Sequence, residues 1–139
     1  MGEEIYARHI VGGEIYYECM GVGTAQNSRN YRLTMKIYRD CAGNGAEFDD
    51  PAEIGIYSFI NGKYAFVKAI DATHGLIKNI EANENPCLIL PPNVCVEETS
   101  YIINLNNMPI IAGSYIASWQ RCCRNNTINN IIAPNNTGA

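Results

Sequence analysis

At 139 residues the chain is long enough for one buried core and short for two. Ten basic against fourteen acidic side chains leave a net charge of −4, which excludes the basic footprint that nucleic acid or anionic lipid would require. Charged residues make up only 17% of the chain, while nine Tyr and a long list of Ile favour strands, and no apolar stretch has the length of a membrane-spanning helix.

The first residues lack the apolar run of a signal peptide, so an export signal is expected to have been removed, and Met1-Gly2-Glu3-Glu4 reads as an added start. The myristoylation pattern fails because Tyr6 stands where Ser or Thr is needed. A first strand is expected from His9 to Cys19, with Gly12-Gly13 as a bulge or bend. Its Ile10-Val11-Gly12-Gly13-Glu14 start looks like that of an activated trypsin-like protease. The Gly-Asp-Ser-Gly and Ala-His-Cys stretches of such an enzyme do not occur.

After a loop from Gly21 to Asn30, the clearest strand runs from Tyr31 to Arg39. Tyr31, Leu33, Met35 and Ile37 alternate there with Arg32, Thr34, Lys36 and Tyr38, the period of a strand with one buried face. The next loop, Asp40 to Pro51, holds five oxygen-bearing side chains: Asp40, Asn44, Glu47, Asp49 and Asp50. On a Gly-rich segment these are candidate Ca²⁺ ligands, the alternative being an acidic solvated turn. The EF-hand pattern is broken, with Ala42 at its third position and Pro51 at its twelfth.

Strands from Ile54 to Ile60 and from Tyr64 to Ile70 flank Asn61-Gly62, a pair that supplies the positive φ angles of a tight hairpin turn. A short strand near Leu76 to Ile80 and a loop from Glu81 to Asn93 follow. Two more strands are expected, Val94 to Leu105 and Ser114 to Cys123. In the last, Trp119 is expected to fill the interior. From Asn125 onward the chain reads as a terminal strand fading into a linker. About seven to eight short strands separated by turn chemistry predict an all-β, Ig-like antiparallel sandwich forming a single domain.

Six Cys in so short a chain point to an oxidising compartment. Zinc is disfavoured because no Cys-x2-Cys pair occurs. Spacing favours a small loop closed by Cys87 and Cys95, with Cys122 and Cys123 reaching separately to Cys19 and Cys41. A vicinal Cys122–Cys123 bridge with Cys19–Cys41 is the alternative. His9 and His74 are the only imidazoles, and neither has the setting of a catalytic base. Adjacent carboxylates such as Asp49-Asp50 and Glu97-Glu98 would point to opposite faces of a strand. No catalytic set is predicted. Arg124, Tyr6 and Tyr64 are candidate contact residues, since planar guanidinium groups and amphipathic rings dominate binding patches.

Four segments carry a resemblance: His9-Ile10-Val11-Gly12-Gly13-Glu14-Ile15, Tyr38-Arg39-Asp40-Cys41, Pro91-Pro92-Asn93-Val94-Cys95-Val96-Glu97 and Gln120-Arg121-Cys122-Cys123-Arg124-Asn125. Together they resemble the N-terminal region of large adhesin-like surface proteins of Bacteroidetes. Such proteins typically continue into polycystic-kidney-disease-type or other Ig-like repeats and end in a gliding-motility-associated domain read by type IX secretion. The resemblance implies a secreted, cell-surface module without catalytic residues, which contacts a glycan or protein and works beside further domains of its own chain. A purely structural cap and a hydrolase or protease fragment are the competing readings.

Overall fold

Alternating apolar side chains, with turn residues at their ends, direct long segments of the chain into strands. The structure, a computed structural model, describes residues 10–43, 45–81, 87, 89, 93–121, 130 and 132. Its strands are β1 (Ile10–Val22), β2 (Ser28–Asp40), β3 (Ala52–Ile60), β4 (Lys63–Ala72), β5 (Lys78–Ile80), β6 (Val96–Pro109) and β7 (Ser114–Ser118), and no helix occurs among the described residues. They form two antiparallel sheets, in the orders β1-β2-β6-β5 and β4-β3-β7. The sandwich is thus the one its alternation predicts.

The core lies between the sheets. Leu33, Met35 and Ile37 of β2 stand beside Ile103, Tyr101 and Thr99 of β6 in register, and Ile54 and Ile56 of β3 close the layer from the other side. All are buried. Full burial of one such aliphatic chain contributes about 1.5–3 kcal/mol, so this interleaved layer is the main source of stability.

Turn chemistry fixes the hairpins. Asn61 (φ 50°) and Gly62 (φ 76°) join β3 to β4 as expected, and Ile60 pairs with Lys63 across the turn. The pairing shifts once, between Ile56 and Tyr57. Gly12 also marks a shift in β1, where Gly13 packs against Ile37; a Cβ at Gly13 would come within 2.8 Å of that side chain.

The loop expected from Gly21 to Asn30 is shorter than its composition suggests. β1 and β2 continue pairing as far as Val22 and Arg29, because Asn107 closes their end. Its Oδ1 accepts hydrogen bonds from Thr24 Oγ1 (3.1 Å), the Ala25 amide (3.0 Å) and Ser28 Oγ (3.4 Å), while its own amide donates to Asn30 Oδ1 (2.8 Å). The Asn107 side chain, 83 residues beyond Thr24 in sequence, ties off the hairpin.

The disulfide differs from the expectation. Cys41 is joined to Cys95, with Cα atoms 5.0 Å apart and a sequence separation of 54, which overturns a Cys87–Cys95 bridge and every pairing of Cys41 with Cys19, Cys122 or Cys123. The reason is register. Asp40 pairs with Val96, so Cys41 and Cys95 occupy the next rung of the β2–β6 ladder, and the Cys41 amide donates to the Cys95 carbonyl at 3.0 Å. Cys19 lies at the far end of the same hairpin, opposite Tyr31, exposed and with a free thiol. Cys122, Cys123 and the segment expected to form a terminal strand lie outside the described residues.

Candidate functional site

Three of the acidic side chains between Asp40 and Pro51 already have protein partners. Asp40 Oδ1 accepts the Ala42 amide at 2.9 Å, Glu47 Oε2 lies 2.9 Å from Arg39 Nη1, and Asp49 Oδ1 lies 2.9 Å from Arg121 Nη1. The Asp49–Arg121 pair is close but poorly aligned for a hydrogen bond. Asn44 lies outside the described residues, and among the described residues no three His, Cys, Asp or Glu converge as metal ligands do. Two arginines and a backbone amide, rather than a shared centre, engage these three carboxylates.

Arg39 organises that end of the sandwich. Only 8% exposed, it donates through Nε (3.1 Å) and Nη2 (2.7 Å) to Glu97 Oε2 and through Nη1 (2.9 Å) to the Ala46 carbonyl, and its guanidinium sits 5.3 Å from the Phe48 ring centroid. Burial opposes its charge, yet the hydrogen bonds to Glu97 and Glu47 outweigh burial and raise its pKa. Tyr101 Oη, deeper still, donates to the Asp49 carbonyl at 2.7 Å. Burial first, then the Asp49 and Asp50 charges, push its pKa up to about 12, with Arg121 opposing. These groups tie Ala46, Glu47 and Asp49 to β2 and β6.

His74 is likewise committed. Its Nδ1 lies 2.7 Å from the Gly75 carbonyl, so that nitrogen must carry the proton, and its ring packs between Phe48 (6.2 Å) and Tyr101 (6.1 Å). His9 lies outside the described residues, as do Tyr6 and Arg124.

Tyr64 stands in a setting of a different kind. The two-residue turn forces Phe59 opposite Tyr64 and, across the next rungs, Tyr57 opposite Phe66. Ring centroids are 4.7 Å apart in the first pair and 5.7 Å in the second, the latter edge-to-face. Ile56, next to Tyr57, is buried in the core, so Tyr57 and Phe59 point outward by the two-residue period of the strand. Tyr64 and Phe66 are 68% and 63% exposed. Four aromatic rings therefore form a ledge on the solvent face of the β4-β3-β7 sheet.

Glycines make the ledge. A Cβ at Gly55 would come within 2.8 Å of the Tyr57 ring, so only glycine lets that ring fold back along its own strand. At Gly113 a Cβ would come within 2.3 Å of the Phe59 carbonyl oxygen, where the chain enters β7. Register places Ser114, Ile116 and Ser118 of β7 beside Phe59, Tyr57 and Gly55 on the same face, and Glu53 opposite Asp71 at the far end. The outer face of the other sheet is unlike it. There Lys36 lies 4.0 Å from both Glu14 and Glu98, and the charges flank a rung in which exposed Tyr16 and Ile102 stand on either side of Thr34, with no stacked ring pairs.

Sequence reasoning named Tyr64 but missed Tyr57, Phe59 and Phe66. The signal was present: a two-residue Asn-Gly turn with aromatics at alternate positions on both arms can only stack them in cross-strand pairs. Comparison with protein-family models, with curated proteins and with solved structures finds no match.

Proposed function

We propose that this domain is a non-catalytic surface-recognition module of a larger extracellular protein, and that the aromatic ledge Tyr57, Phe59, Tyr64 and Phe66 is its contact surface. The stacked rings carry this reading. Exposed aromatic side chains cluster at recognition sites because their flat apolar walls lose little entropy on contact, and an apolar patch rimmed by polar groups is uncommon on a surface without a partner. Flat rings bordered by Ser114, Ser118, Glu53 and Asp71 suit the apolar face and the hydroxyl groups of a sugar ring better than a second apolar surface, so a glycan is the favoured partner.

Weak binding at each copy is sufficient for adhesion. Micromolar to millimolar contacts, about −8 to −4 kcal/mol, become firm attachment when many copies engage one surface. The Cys41–Cys95 disulfide fits an oxidising, extracellular setting, and among the described residues no helix is long and apolar enough to cross a membrane. Arg39, Glu47, Glu97, Asp49 and Tyr101 serve the fold and His74 is packed, which supports a reading without turnover.

The test is a screen of the purified domain against immobilised glycans, in parallel with generic glycosidase and protease substrates. Binding by the wild-type domain that Tyr64→Ala and Phe66→Ala abolish supports the proposal. Turnover that survives purification and disappears with His74→Ala would overturn it.

A further inference from the structure

Among the described residues the two sheets differ in width, and the mismatch leaves one position of the sandwich without a strand. The sheet that contains β1 has four strands and its opposite has three, so β1 overhangs the free side of β7. Register puts Ile15 beside Met35 and Tyr17 beside Leu33, on the core side of β1; yet Ile15 is 41% and Tyr17 70% exposed. Between the edge strands β1 and β7 lies an apolar cleft of about 570 Å³, floored by Leu33 and flanked by Tyr31 and Tyr115. Its volume is in the range of binding clefts.

Two further observations narrow the occupant. β7 pairs on one side with β3 and, among the described residues, with nothing on the other, so its outer amide and carbonyl groups form a ready template for one more strand. Arg29, exposed and without an ion-pair partner among the described residues, is the single charged side chain among those that line the cleft. A compact apolar molecule would fill the volume but leave the β7 edge unused.

We propose that the cleft is a strand-acceptor site, which takes an extended segment of another polypeptide. The segment pairs with the outer edge of β7, directs aliphatic side chains at alternate positions onto Leu33, Tyr31 and Tyr115, and carries a carboxylate that meets Arg29. Main-chain hydrogen bonds supply affinity, alternate side chains supply register, and the carboxylate sets direction. The site lies between the sheets, apart from the aromatic ledge, and does not depend on it.

The probe is an acetylated heptapeptide that alternates valine and threonine and ends in glutamate. Controls carry a central proline, or end in lysine. Fluorescence anisotropy with the full chain should show the glutamate peptide binding, the proline peptide failing, and the lysine peptide weaker by about threefold to fivefold, the range of an exposed charge pair. Arg29→Glu should reverse that preference, an outcome that a misfolded variant cannot give. Hydrogen exchange completes the test: β7 amides should exchange faster than those of β3 in the free chain and become protected with peptide bound. Equal binding of the proline peptide would overturn the proposal. So would β7 protection already complete in the free chain, which would mean that the edge is covered from within.

Discussion

At the scale of single residues, the buried polar groups make sharp demands. Removing the Arg39 side chain would leave Glu97, whose own side chain is only 19% exposed, without its partner, and would free residues 46–48 from the sheet. Arg39→Ala is therefore expected to lower stability by about 3 kcal/mol or more, measured by urea unfolding. Tyr101 gives a pH signature. Its folded pKa of about 12 lies above the ordinary value of 10.0, so its stabilisation is complete below pH 10 and is lost as pH rises toward 12. Tyr101→Phe should be less stable at neutral pH by about 1 kcal/mol, for the lost hydrogen bond to Asp49, and the gap from wild type should close as pH climbs. A constant gap from pH 9 to 12 would contradict this assignment. Neither role was legible beforehand: Arg39 and Tyr101 stand at inward positions of their strands, but apart from Glu97, which faces Arg39 from β6, their partners come from residues 46–49, whose path no periodicity predicts.

At the scale of elements, the disulfide and the turns matter most. The Cys41–Cys95 bridge closes a 54-residue separation, for which chain entropy predicts about 4 kcal/mol of stabilisation. Cys41→Ser should lose most of that, and non-reducing peptide mapping should recover the Cys41 and Cys95 peptides joined. Strand order decided this bridge, which is why spacing misled. Cys87 and Cys95 are near in sequence, but β2 and β6 are neighbours in the sheet, and their ends bring Cys41 to Cys95. Gly113→Ala is expected to destabilise the domain, since the added methyl must displace the Phe59 carbonyl and with it the start of the β3–β7 pairing. Asp40, Glu47 and Asp49 of the loop are engaged separately by the Ala42 amide, Arg39 and Arg121, so millimolar Ca²⁺ should leave the melting temperature unchanged.

At the scale of the whole molecule, the sequence disclosed the sandwich well and its surfaces poorly. Period-two alternation from Tyr31 to Ile37 and the Asn61-Gly62 turn were enough to predict strands, a hairpin and two sheets. The same alternation places Tyr57 and Phe59, but it does not say which side of β3 the core will take. Ile54 and Ile56 claim the inside, and the aromatics are left to the solvent. The cleft was illegible for a similar reason, because it arises from the unequal number of strands in the two sheets and from no residue alone. The ledge is the feature on which the functional reading depends. Tyr64→Ala and Phe66→Ala change exposed side chains, so each should shift stability by no more than about 1 kcal/mol. The most direct test is therefore glycan-array binding of the wild-type domain beside these two variants, each first shown to be folded by its melting curve. The account predicts a defined set of glycans bound by wild type and lost in both variants; binding that persists unchanged when both rings are removed would contradict it.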